Sequence, residues 1–596
     1  MNKRADGKPG AANASLTRRP ATGRQALLLA GKLVLLAVFL VGTNLEMYQR
    51  VKTIGWQPGL VVFALVWILA CVAILVIAFS PRRSARLFWT LALVACSFVA
   101  FSYQLITAKF MGLADFEKLI GLVGFADNVT TGFFGDILVS AALWCLAGAV
   151  AINMPPYAHR AGGFRRVGWA IEFAGVLQLI PIVAIGSILY ARGGDGSDGM
   201  PVQYSGLAFL AVMGVDAALQ GPPQARSPVR LAHGGAAPIR NIVVVMDESI
   251  RGDLLDINSP NGVDTGLKNA DSALFNFGVA SSIANCSDST NLAFRYGVTK
   301  ARYLREIHTN PSIWSYAKKA GYRTVYIDGQ RHSGRLQNRM TSEEVREIDE
   351  FIQLDTQLKP FEKDPYIARL LAKMLRTADL PQFVLINKMG SHFPYEGKYP
   401  RDQVVYQPTM GLSYLGNESD PKNLARPTDD TTETRLRFKN SYLNSIRWNI
   451  GEFFRIVLPE MNLANTVLVY TSDHGQDFHD DGRPGYGTHC ADGPAVADEG
   501  IVPLVALTGI PAVAARLRSG VAMNYNRASQ FNVFPTLLAL MGYERESLRS
   551  SGAFEPTLFA ELPDDNQRFL STFFVRLGKK PVWNRIARRG PQKGDS

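Results

Sequence analysis

Five apolar stretches, each long enough to cross a lipid bilayer, crowd into the first third of this chain. They lie near residues 26–46, 58–80, 87–106, 134–153 and 167–190. Roughly 20 apolar residues in a helix span the hydrocarbon core, so the pattern predicts a bundle of five transmembrane helices. The first run is too long for a signal peptide and four more follow it, which argues against a cleaved leader.

Basic residues orient the bundle. Lys3, Arg4, Lys8, Arg18, Arg19 and Arg24 precede the first run, Arg82, Arg83 and Arg86 follow the second, and Arg160, Arg165 and Arg166 follow the fourth. The remaining loops carry acids instead: Glu46, then Asp115, Glu117 and Asp127. Positive residues stay on the cytoplasmic side, so an odd number of spans places everything after about residue 191 outside the cell membrane. Lys32 and Glu172 sit near cytoplasmic span ends, where long side chains snorkel or pair. The amphipathic stretch 107–133 is expected at the outer interface, as a connecting loop or as part of a lipid platform. A net charge of +12 is concentrated in the tails and loops, which suits anionic lipid rather than nucleic acid. No nucleic-acid motif accompanies it.

Residues 191–238 are rich in Gly, Pro, Ala and Ser and read as a linker. From 239 the pattern changes to short β-branched runs alternating with helical segments. Strands are expected at 241–246, 323–327, 382–386, 466–471 and 502–507. Their apolar character on both faces suits a mainly parallel α/β sheet between helix layers. The domain plan is therefore a tail (1–25), a membrane domain (26–190), a linker (191–238), a catalytic domain (239–565) and a basic tail (566–596).

Polar residues at the strand ends are the informative feature. Glu248 follows the first strand, Asp328 the second, His392 the third, and Asp473 with His474 the fourth. Ligands of open α/β sheets gather at this edge. Carboxylates with imidazole bind zinc or manganese. The segment SSIANCSDSTNLAFRYG adds hydroxyls in Ser287, Ser289 and Thr290, and a hydroxyl beside such a cation becomes a nucleophile near neutral pH.

The ordered set VVVMDES, the Cys-containing hydroxyl-rich loop, MGSH-x-P, YTSDHG and a Gly-Thr-His turn resembles the lipid A phosphoethanolamine transferase family. The resemblance covers the five-span anchor and most of 239–510. It implies an extracytoplasmic domain of the alkaline-phosphatase and sulfatase fold, anchored in a bacterial inner membrane and facing the periplasm. It implies a zinc ion (manganese as an alternative) held by Glu248, Asp473, His474 and the nucleophile. That nucleophile lies four residues after a Cys in the family, which carries the role to Thr290, with Ser289 and Ser287 as rivals. His392 and His489 match imidazoles that hold substrate phosphate or a second zinc. The donor implied is phosphatidylethanolamine, and the acceptor a lipid A phosphate or an envelope glycan.

Departures bear on the substrates. The family's three disulfides have no counterpart among five cysteines. Cys71, Cys96 and Cys145 fall in spans, and the sequence leaves open whether Cys286 and Cys490 pair. DHGE is DHGQ here, with Gln476, and the family's His-Gln before MGSH is Asn387-Lys388. A phosphoglycerol transferase with the same anchor is the first alternative, and HFPY at 392–395 leans that way. A sulfatase in the chemical sense needs C/S-x-P-x-R, whereas Ser287, Asp288, Ser289 and Thr290 follow Cys286. A non-catalytic scaffold would show an eroded site, which this set of residues does not.

Overall fold

A computed structural model describes residues 23–45, 47–107, 110–122, 135–157, 173–220, 225–233, 237–355, 357–377, 379–410, 431–480, 489–490, 494–544, 548, 552–571 and 581–586. The chain forms two compact units, residues 1–218 and 219–596.

The first unit is helical. Its long elements are α1 (Gly23–Gly42), α2 (Pro58–Ala78), α3 (Arg83–Thr107), α4 (Gly135–Asn153), α5 (Ala174–Ala191) and α6 (Val202–Gln220). Among the described residues five helices are long and apolar enough to cross a membrane: α1, α2, α3, α5 and α6. The expected fourth span is α4, whose described apolar stretch, Ile137–Asn153, is shorter. Glycines let α1 and α4 meet. A Cβ on Gly42 would come within 2.1 Å of Trp144, and one on Gly148 within 2.6 Å of the buried Phe39. Small residues permit such close helix approach where no hydrophobic drive exists between helices in lipid. Lys32 does not snorkel. It is fully buried and donates to the carbonyls of Ala78 and Met154, both at 2.5 Å, and of Pro156 at 3.3 Å. One cation thus closes the carboxyl ends of α2 and α4, where helix dipoles favour positive charge. Glu172 lies outside the described residues. The 107–133 stretch contains a helix, Leu113–Leu122, with Phe116 against Phe209 of α6, ring centroids 5.3 Å apart.

The segment 191–238 is not all linker, because α6 occupies its middle. Tyr204 donates to Gln178 at 2.6 Å. A Cβ on Gly186 would lie 3.6 Å from Val212. Both contacts join α5 to α6, and the second pair lies eight residues beyond the first in each helix. The two helices therefore run side by side in the same direction. Residues 192–201 connect the two helices, held by Trp67 donating to the Gly199 carbonyl at 3.1 Å and Asn44 accepting from the Val202 amide at 3.2 Å.

The second unit is built on a seven-stranded sheet of order β2-β7-β6-β1-β5-β3-β4. The strands are β1 (Asn241–Asp247), β2 (Leu274–Ser281), β3 (Arg323–Asp328), β4 (Glu350–Gln353), β5 (Gln382–Asn387), β6 (Thr466–Ser472) and β7 (Ile501–Leu507). All five expected strands are present. Neighbours pair in parallel from β6 through β1, β5 and β3 to β4, while β7 runs antiparallel to both β6 and β2. Alternate residues of β1 serve opposite layers: Ile242, Val244 and Met246 join one apolar core, Val243 and Val245 the other. Strands covered on both faces must be apolar on both, which is why β1 reads as a continuous run. The C-terminal segment is not simply a tail. Arg568–Leu570 pairs with Trp583–Arg585, and the buried Leu570 bonds back to Ile283 and Asn285.

Candidate active site

Strands β1 and β6 are adjacent and parallel, with Asp247 level with Ser472. That register places Glu248, Asp473 and His474 side by side just beyond the sheet. One ligand atom from each lies within 4.8 Å of the others, and all three residues are buried. His474 Nε2 is 3.4 Å from Glu248 Oε1 and 3.6 Å from Asp473 Oδ2.

The surroundings aim these groups. Asp473 Oδ1 accepts from the amides of Ser249 (3.0 Å) and His474 (2.8 Å). Its Oδ2 is buried with no hydrogen-bond donor among the described residues. His474 Nδ1 lies 2.7 Å from the Gly475 carbonyl, which leaves Nε2 turned to the carboxylates. Glu248 is held by Ser249 Oγ at 2.9 Å and by Gln330 Nε2 at 2.9 Å. Below it, Lys388 is fully buried, paired with Asp247 at 2.6 Å and Asp364 at 3.5 Å. Asp364 in turn accepts from the amides of Met389 and Gly390, both at 2.9 Å, which shapes the turn leading to His392. Gly390 has φ +51°, and a Cβ there would fall 2.3 Å from Asp247 Oδ1.

Charge is tightly balanced here. Burial opposes ionisation of Glu248, but its hydrogen bond to His474 and the nearby charges of His392 and His474 hold its carboxyl well below the ordinary range. Burial, reinforced by the charge on Glu248, pushes Asp473 up to about 7. His474 is disfavoured as a cation by burial, yet Asp473 and Glu248 raise it to about 9. Two buried carboxylates facing one imidazole and one unsatisfied oxygen match the donor set of a zinc site, whose ligands must give up protons to bind.

The hydroxyl at this cluster belongs to Ser287. Cys286 caps α7 (Ser287–Tyr296), and Ser287 opens it. Ser287 Oγ lies 3.2 Å from His474 Nε2 and 3.3 Å from each oxygen of Glu248, and the residue is partly exposed. Thr290, the expected nucleophile and ligand, is fully buried. Its Oγ1 donates to the Ala284 carbonyl and accepts from the Ala284 amide, both at 3.0 Å. Its hydroxyl is spent on backbone and closed to solvent, so of the three candidate hydroxyls it is Ser287 that meets the cluster. Ser289 is also buried and bonds Asp288 at 2.9 Å.

The other expected residues divide. His489 stacks on His474 with ring centroids 4.2 Å apart. His392 is half-buried, with Nδ1 2.6 Å from the Phe393 carbonyl and its charge felt at Glu248. Asp328 lies outside the cluster and organises the loop after β3, accepting from the Gln330 and Arg331 amides, Gln337 and Gln353. Cys286 and Cys490 do form a disulfide. Gln476 is buried and bonds Tyr395. Sequence reasoning missed Gln330, although its place two residues past a strand-end Asp was a usable signal.

Residues 240–543 match the family described as Sulfatase, just over half of the 596 residues, and the chain belongs to that family. Membership follows the fold; the motif of sulfatase chemistry is missing after Cys286. Among curated relatives, phosphoethanolamine transferase EptC of Escherichia coli O18:K1:H7 is 23% identical over 181 residues, which are 29% of this chain and 28% of that protein. The same enzyme of E. coli K12 is 22% identical over 174 residues, again 28% of its length. The chain thus matches less than a third of the length of these relatives. The integral membrane lipooligosaccharide phosphoethanolamine transferase A (EptA) of Neisseria meningitidis shares the fold over 89% of this chain and 98% of its own, at 16% identity and a TM-score of 0.57. The structural likeness shows the fold, a helical unit together with a Sulfatase-family domain.

Proposed function

We propose that this protein transfers phosphoethanolamine from phosphatidylethanolamine to a lipid A phosphate or an envelope glycan, through a covalent intermediate on Ser287. The observation that carries the reading is the Ser287 hydroxyl, reachable and 3.2–3.3 Å from His474 and Glu248. Beside it stands Asp473, with one buried oxygen lacking a donor among the described residues.

Glu248, Asp473 and His474 would hold zinc. When bound, the cation supplies charge that eases ionisation of a hydroxyl and offsets the negative phosphoryl oxygens. Ser287 Oγ attacks phosphorus, the bond to the diacylglycerol oxygen breaks, and the proton lost by Ser287 ends on that oxygen. An acceptor oxygen then displaces Ser287, which recovers a proton as the acceptor gives one up. Placement at the start of α7 helps, because helix amino ends favour anions. His392 and His489 steady the phosphate oxygens. Gln330 keeps Glu248 turned toward the cluster.

The arginine-rich loops of the first unit and the five apolar runs support a catalytic unit in the periplasm, on a bacterial inner membrane. Purified full-length protein should be offered labelled phosphatidylethanolamine and phosphatidylglycerol in separate mixed micelles. Release of diacylglycerol from the first alone, with the mass of one phosphoethanolamine added to the Ser287 peptide, is expected. Turnover of phosphatidylglycerol alone would move the assignment to phosphoglycerol transfer, and turnover of neither would end both.

A further inference from the structure

The Cys286–Cys490 bond joins positions 204 residues apart, and its two neighbours in sequence are the informative part. Cys286 immediately precedes Ser287, whose Oγ is 3.2 Å from His474. Cys490 immediately follows His489, whose ring stacks on the same His474 at 4.2 Å. Each half of the bridge is therefore one residue from a group that touches one imidazole. Cys286 caps α7 in extended conformation, while Cys490 holds φ +60°, a region that side-chain-bearing residues rarely adopt. Its amide donates to the Asn285 carbonyl at 2.9 Å, so the two cysteine segments also meet through backbone. By contrast, Glu248, Asp473 and His474 follow β1 and β6, which are bound to each other by a continuous parallel ladder. The cation ligands do not depend on the bridge.

We propose that the Cys286–Cys490 disulfide is a positioning element of the transfer reaction, holding the Ser287 hydroxyl and the His489 ring together against His474. This rests on the transferase reading, and adds to it that Cys286, Cys490 and His489 set the rate of chemistry rather than metal loading. Reduction by a dithiol transfers two electrons to the bridge and leaves two thiols, while the dithiol closes to its cyclic disulfide. The residues then remain in place in the sequence but lose the tether. Misplacement by about 1 Å can cost about 100-fold in rate.

The test uses full-length protein in detergent: wild type, Cys286→Ala, Cys490→Ala and the double variant. Wild type is also reduced with dithiothreitol and then reoxidised. Turnover of labelled phosphatidylethanolamine, zinc content and melting temperature are measured on each. The expected result is a fall in kcat of about 10- to 100-fold in every form lacking the bond. KM and zinc content should change by less than about twofold, and the double variant should be no slower than either single. Reoxidation of wild type should restore the rate, which decides the matter even where a variant fails to fold. An independent readout needs no turnover: on reduction, His489 should react faster with diethyl pyrocarbonate, mapped by mass spectrometry, while His474 stays protected. Unchanged kcat well below the melting temperature, or unchanged His489 labelling, would show the bridge to be a stabilising staple only. Loss of zinc on reduction would also overturn the proposal. Wild type inactive toward both lipids refutes the transferase reading, and the labelling arm still decides whether the bridge places His489.

Discussion

Exchanging the two hydroxyl residues of α7 separates the reading from its nearest rival. Thr290→Val keeps shape but removes both hydrogen bonds to Ala284, a residue with no solvent exposure. The Ala284 carbonyl keeps Ser282 Oγ at 2.7 Å, so only the Ala284 amide is orphaned, and a loss of about 1–3 kcal/mol in stability is expected, with turnover per folded molecule within about threefold of wild type. Ser287→Ala removes only contacts to Glu248 and His474, so folding should be spared. Its kcat should fall by at least about 1,000-fold, equivalent to about 4 kcal/mol on the barrier. Ser287→Thr keeps a hydroxyl in place and should retain measurable transfer. The assay is diacylglycerol release by full-length protein, with thermal melting and zinc content run in parallel. An active Ser287→Ala protein, or a folded, zinc-loaded Thr290→Val protein without activity, refutes the geometric argument and returns the role to Thr290.

Three further outcomes follow from the packing. Asp473→Asn and His474→Ala should each deplete zinc measured on the purified chain, while Gln330→Ala, which frees Glu248 without removing a ligand, should weaken zinc affinity by about tenfold; equal zinc in all three would reject the cation site. Glu344→Ala leaves the Arg295 guanidinium, 2.6 Å from that carboxylate and buried with it, without its partner. The expected cost is about 3–5 kcal/mol, read by denaturant unfolding of the full chain, and a change under 1 kcal/mol would sink it. Gly390→Ala forces a Cβ into left-handed backbone and against Asp247, so it should lower both stability and zinc content, whereas a neutral effect would show that this turn relaxes freely.

Much of this architecture is legible from residue pattern because buried parallel strands leave an unbroken apolar signature. The two strands of the large sheet that escaped notice lack it. β4 is four half-buried residues, Glu350–Gln353, at the sheet edge. In β2 the pattern is broken by Asn276 and by Gly278 at φ +75°, where the register against β7 shifts. The helix α6 was hidden by its flanks, since Gly- and Pro-rich segments surround it on both sides. Glu248, Asp473 and His474 were readable because strand ends converge by topology. Choosing among Ser287, Ser289 and Thr290 was not possible in the same way. Three hydroxyls within one helical turn differ only in what each side chain meets, and a count from Cys286 carries no information about that.

The helix α6 also has a consequence at the bench. A fragment starting at about residue 200, within the Gly- and Pro-rich segment, would begin with a largely apolar helix of 19 residues. Tyr204, Phe209 and Val212, shielded by neighbouring helices in the whole chain, would then face water, and such a preparation should precipitate or form micelle-like aggregates. Cutting beyond Gln220 removes that liability.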